Sequence, residues 1–510
     1  MKAWATCVGI MLLPLIMAPQ GSGQVAAASR ESADPVVRLP PLLVQADAQT
    51  RWLHGEFAGT EILSSCDWDT TKRFAQRYLR AKEEFHQLVP EEFRLNPPEL
   101  VILVPSKEAQ LIAVETGRLM QAVSASSGAI PHLRVSSGDL SASFFIVDSH
   151  VESTKPAERG SNEAPEYLRF TLSPDYISYH LSSRRPALLP CIISGLTDSF
   201  ESAAETGNGL CSRPDVWLTN ADWRASRADV DAPRPLLPLK ELLRLEPLQG
   251  DVRKSRLWRA QSQLFVRWSL FDTSSRSAGF WRFVRESAQR PFDERLFESC
   301  FGQNYSDCRD ALSDFLPTAA RYPTIWNQPV PQAHSLFFTS AKPEEIDWCK
   351  TEWDRLILTA VERDFPALLP DYRREALTMA TRAATRNERS LRILGSLGLI
   401  QAQAGDEAAA MRTLEQAARA GSKRSPVLVE LARLRLKHYL ATKSVSSAEL
   451  SEQETADVLA LLNQAVQSSP SIEAGYLLYR AVLQHTKRPP TPTELAVMKQ
   501  AAELFGESGN

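Results

Sequence analysis

One stretch of this chain limits its fold more than any other. Between Asn387 and Ser422, Leu394, Leu397 and Gly398 are followed by Gly405, and then by Ala410, Leu414 and Ala417. Gly405 can end a first helix in a tight left-handed turn. Gly398 and Ala410 then fall where two antiparallel helices touch, and Leu414 fills the gap toward the next pair. A hairpin of this kind cannot bury its apolar face alone, so it calls for neighbours of its own type. Two further pairs are expected: residues 427–439 with 456–470, joined by a long connection over 443–454, and residues 474–485 with 493–505. A generic helical bundle would satisfy the same pattern.

The preceding part of the chain mixes strand and helix signals. Residues 60–65 (TEILSS) read as a strand, after which Asp69 is placed to cap a helix. Phe74, Tyr78, Ala81, Phe85 and Leu88 give that helix one apolar stripe. LVILV at 100–104, stopped by Pro105, and FFIV at 144–147 read as buried strands. Residues 167–172 alternate as a half-buried strand should. Residues 175–181 and 187–200 read as helices. Beyond 252 the chain turns helical, with Leu257, Gln261, Leu264, Trp268 and Phe271 on one face and Phe280 and Val284 in a second helix. Ser306 is placed to cap a third, with Cys308, Ala311, Leu312 and Phe315 inward. Pro323, Pro329 and Pro331 mark an edge. The expected organisation is therefore a leader at 1–28, an α+β domain at 29–325 (a small mixed sheet plus a helical subdomain), a linker with helices at 326–385, and all-α repeats at 386–510.

The leader follows from Lys2, an apolar run over residues 3–18 broken by Pro14, and small residues through Ala28. Those are the parts of a secretory signal, cleaved between Gly23 and Ala28; an uncleaved anchor is the alternative. The chain is then exported, to periplasm or exterior, with no transmembrane span left after cleavage. Cys66, Cys191, Cys211, Cys300, Cys308 and Cys349 remain, and export permits bridges among them. Cys300–Cys308 is the favoured pair and Cys191–Cys211 the second; buried free thiols are the alternative. A net charge of −3 gives no basic field to recruit nucleic acid.

Catalytic motifs are scarce. None of the eight histidines stands four residues from another, and no G-x-S-x-G, S-x-x-K, Walker or G-x-G-x-x-G motif occurs. The order of elements nevertheless resembles the gluzincin-like, thermolysin-type metallopeptidase domains of exported bacterial proteins. It runs from TEILSS and its helix, through LVILV and two helices joined by LLP into GLTDSF, to AQSQLFVRWSLF, FWRFVRES and LFESCFGQNYSDCRDALSDFL. The segment from Asn387 resembles a tetratricopeptide repeat, which often follows such domains.

The resemblance implies a zinc helix bearing His-Glu-x-x-His and a third ligand in Glu-Gly-Leu. In one register the first motif falls on residues 174–178, from Pro174 through Asp175 to Ser178. In the other it falls on 176–180, and only the final histidine, His180, survives. The third ligand falls on Ser194, and Asp198 matches the acid that orients a ligand histidine. Catalytic zinc needs three protein ligands and an open position. The implied protein is thus a peptidase fold without its metal, its cofactor or its activity. Its repeats would bind a peptide or protein partner. The competing expectation is a hydrolase rebuilt from Asp148, His150, Asp175, His180 and Asp198, which requires those groups to converge.

Overall fold

The computed structural model describes residues 51–94, 97–105, 132–147, 174–182, 187–201, 203–206, 209–212, 236–244, 252–271, 274–321, 324–326, 336–443, 449–468, 470 and 472–505. The leader, Asp148, His150 and the expected strand at 167–172 lie outside them. Two strands open the fold, β1 (Leu53–Phe57) and β2 (Thr60–Ser64), joined by Ala58-Gly59 with both residues at positive φ. That two-residue turn matches the twist of an antiparallel pair. Helix α1 (Trp68–Leu88) follows, then β3 (Glu99–Pro105), β4 (His132–Ser136) and β5 (Ser141–Val147). With the short β9 (Thr339–Ser340) they form one mixed sheet in the order β4-β5-β3-β2-β1-β9. β3 lies at its centre, parallel to both β2 and β5.

The central position explains why LVILV is apolar without alternation: both faces of the sheet are covered. Val101 and Leu103 face a core with Phe74, Tyr78 and Phe85 of α1 and with the helices α2 (Pro174–Ser182) and α3 (Pro190–Glu201). Leu100, Ile102 and Val104 face a second core, built with Trp348, Trp353 and Leu356 of helix α8 (Pro343–Asp364). Between α3 and α8 in sequence come β6 (Ala203–Thr206) and β7 (Gly209–Ser212), which with β8 (Thr324–Trp326) make a three-stranded sheet. Helices α4 (Val252–Phe271), α5 (Ser274–Gln289), α6 (Glu294–Phe301) and α7 (Tyr305–Arg321) extend the first core. Gly195 sits where α3 crosses α4, and a Cβ there would collide with the Ser262 carbonyl oxygen.

Helix α9 (Leu369–Arg386) then leads into three antiparallel pairs: α10 (Leu391–Gln403) with α11 (Glu407–Arg419), α12 (Ser425–Ala441) with α13 (Glu452–Val466), and α14 (Glu473–Gln484) with α15 (Pro492–Phe505). Gly405 has φ +88 at the first turn. Gly398 lies against Leu414, whose Cδ2 would be 2.6 Å from an added Cβ. Ala410, Leu414 and Ala417 are fully buried, as the pattern predicts. The described residues are therefore a small mixed sheet with helices, followed by a helical C-terminal region. None of the described helices is long and apolar enough to cross a membrane.

Both expected caps move. Asp67, not Asp69, caps α1: its Oδ1 accepts from Thr70 N at 2.9 Å and its Oδ2 from the Thr70 hydroxyl at 2.7 Å. The backbone is still extended at Asp67, so its side chain is the one able to fold back onto the first free amides, whereas Asp69 lies inside the first turn. Asn304 takes the place expected of Ser306, accepting from Asp307 N at 2.9 Å.

The cysteines also differ from expectation. Cys66, Cys191, Cys300, Cys308 and Cys349 are all buried and outside any disulfide, so neither Cys300–Cys308 nor Cys191–Cys211 is joined. Cys300 and Cys308 fill small spaces in the first core as apolar side chains do. Burial pushes the thiols of Cys191 and Cys308 up to about 12, which leaves little thiolate to oxidise. A thiol reagent should find these five groups inert in the folded chain and all reactive once it is denatured without reductant. Fewer than five would mean that bridges form.

Candidate functional site

The residues singled out by the family resemblance lie on α2 and α3. Asp175 is in the first turn of α2, with Ser178 half-buried on the same helix. His180 is buried in its last turn. Ser194 is half-buried on α3, and Asp198 is buried one turn further on. His180 and Asp198 answer to different partners. Asp198 accepts from Arg259 of α4, Nε at 2.9 Å to one oxygen and 2.8 Å to the other, and its backbone carbonyl accepts from Gln263 at 3.1 Å. His180 turns instead to Glu99, with Nε2 3.6 Å from Oε1.

Glu99 organises a buried polar cluster on this side of the sheet. It opens β3 on the face toward α1 and is buried. Tyr176 of α2 donates its hydroxyl to Glu99 Oε1 at 2.7 Å. Tyr78 of α1 and Thr60 of β2 each donate to Oε2 at 3.1 Å. Lys82 of α1 places Nζ 3.3 Å from the same oxygen and donates to the Thr60 hydroxyl at 2.9 Å and to the Ala58 carbonyl at 3.4 Å. The His180 ring stacks on Tyr176 at 4.3 Å, and Arg134 of β4 lies 4.3 Å from the centre of the Tyr176 ring.

Electrostatics fixes the charges. Burial alone would raise the Glu99 carboxyl, but the Lys82 ammonium, the adjacent His180 ring and Arg134 outweigh it and hold it well below the usual range. Burial, then the Glu99 charge, raises the Tyr78 and Tyr176 hydroxyls, so both remain donors. His86, one turn along α1 from Lys82, is lowered to about 3 by burial and by Arg94, and is neutral at physiological pH. The arrangement is an ionised carboxylate enclosed by donors, suited to holding α1, α2 and β3 in register.

The implied zinc does not fit this donor set. In the register that keeps His180, the other helix positions carry Tyr176 and Ile177, and the third ligand position is Ser194. Tyr176 is engaged with Glu99, and Ile177 is fully buried. Among the described residues, no group of three His, Cys, Asp or Glu side chains is placed to hold a metal ion. The cluster itself was missed at the sequence level, although two signals mark it. Lys82 interrupts the apolar stripe of α1 between Tyr78 and Phe85, and Glu99 stands directly before an apolar run.

Sheet, helical subdomain and helix pairs together define a mixed α and β chain with a helical C-terminal region. Comparison with family models, curated proteins and solved structures finds no match to it.

Proposed function

We propose that this chain is an exported, non-catalytic, peptidase-like protein whose tetratricopeptide-like helix pairs bind a peptide segment of a partner. The observation that carries the reading is the environment of His180. The one histidine that matches a ligand position stacks on Tyr176 and faces a Glu99 already neutralised by Lys82. An imidazole used in this way secures a core and has no open coordination position beside it. The position of the water-activating carboxylate is Ile177 in the same register, which has no proton to exchange. The binding half of the reading rests on the three consecutive helix pairs, since stacked pairs present an extended surface to a partner chain.

Elemental analysis of the mature chain, after dialysis against trace zinc, tests the non-catalytic half. Less than about a tenth of an equivalent is expected, because a three-ligand site would be nearly full. Close to one equivalent, lost in His180→Ala, would restore the hydrolase. For the binding half, immobilised mature chain should retain a partner from an envelope extract, and a chain lacking α14 and α15 should not. Equal retention by both would place binding elsewhere.

A further inference from the structure

The helical array and the sheet meet at a closed ring of four charges. Asp139 lies in the turn between β4 and β5, Glu352 and Arg355 lie on α8, and Arg424 stands just before α12. Arg424 donates from Nη2 to Asp139 at 2.7 Å and to Glu352 at 2.6 Å, and from Nη1 to Glu352 at 2.7 Å. Arg355 donates from Nη2 to Asp139 at 3.3 Å and from Nε to Glu352 at 3.0 Å. Each carboxylate is thus shared by both guanidiniums, and two positive charges balance two negative ones. Ser396 of α10 adds a donor to Glu352. Exposure of the Glu352 side chain is 0%, of Asp139 and Arg355 6%, and of Arg424 23%.

The ring joins parts of the chain 285 residues apart, the β4–β5 turn and the start of α12. The same turn touches the array a second time. An added Cβ on Gly138 would lie 3.3 Å from Ile472 Cγ2, just before α14. A second tie runs along the joint, where Arg392 of α10 reaches Glu61 of β2 at 2.6 Å and lies over the Trp348 ring at 3.4 Å. Charges this deeply buried are tolerated only as a complete set, since any one left over is uncompensated in a low dielectric.

We propose that this ring is an electrostatic latch that makes the helix pairs from α12 onward and the sheet unfold as one unit. Arg424 is its key, being the one member contributed by the array. Burial opposes the charge on Arg424, yet the two carboxylates outweigh that effect and bind the proton more firmly. The latch is independent of any partner, so the fate of the binding proposal does not touch it.

Hydrogen exchange on the full chain at neutral pH tests the latch. In the wild type, the slowest amides of α12 to α14 should exchange with the protection of those in β3. In Arg424→Ala, amides over 425–484 should exchange at least about tenfold faster while β3 keeps its rate, because opening no longer requires the sheet to open. Unchanged rates in the array, or equal acceleration in array and β3, would overturn the proposal. Should Arg424→Ala fail to accumulate folded, Asp139→Asn serves the same comparison. That variant keeps the side-chain shape and removes one negative charge, and the same two outcomes decide.

Discussion

Glu99→Ala will destabilise the chain by about 3–5 kcal/mol, the range for breaking a buried ion pair from one side. The variant removes the acceptor for Tyr78, Tyr176 and Thr60 and leaves the Lys82 ammonium buried without its countercharge. Lys82→Met combined with Glu99→Leu should recover the part of the loss that comes from the unpaired ammonium, because replacing both charges by apolar groups spares their desolvation, while the Tyr78, Tyr176 and Thr60 hydroxyls still lack their acceptor. The pH profile carries the sign. Glu99 has a folded-state pKa below its ordinary 4.5, so its contribution is full above that value and is lost as pH falls through the folded value. Urea titrations of the three proteins at pH 7 and pH 4 measure both effects. A loss under about 1 kcal/mol for Glu99→Ala, or a double variant no better than the single one, would mean that water satisfies this cluster.

Much of the architecture was readable because periodicity and breakers record burial directly. LVILV, a short apolar run stopped by Pro105, read as a buried strand, and the spacing of Gly398, Gly405 and Leu414 pointed to a helix pair. Caps were misplaced by two residues because Asp67 and Asp69 are both good cap types, and only the backbone conformation at Asp67 decides between them. The cysteines misled because an even count in an exported chain allows bridges, while the packing of Cys191, Cys300 and Cys308 was invisible before the core existed. The charge clusters were least legible. Asp139, Glu352 and Arg424 lie far apart in sequence, so nothing local marks them as partners. Lys82 and Glu99 did carry local signals, a charge on an apolar stripe and a charge directly before an apolar run.

Asp354→Asn will stabilise the chain at pH 8, by roughly 2 kcal/mol once partial exposure is discounted. Asp354 lies on α8, facing α9. Burial raises its pKa from the usual 3.8 to about 7, the Glu375 charge adds to the rise, and Lys350 opposes it. An acid whose folded-state pKa is raised behaves oppositely to Glu99. Below 3.8 both folded and unfolded chains hold the proton, and the group contributes no difference. Between 3.8 and about 7 the unfolded chain releases its proton while the folded chain keeps it, so stability falls as pH rises. Above that range the full penalty remains. Asparagine carries no charge at any of these values and removes the penalty, so its advantage should grow between pH 5 and pH 8. Thermal unfolding of both proteins across that range reads it directly. An advantage independent of pH would show that Asp354 stays ionised in the fold, with Lys350 outweighing both burial and Glu375.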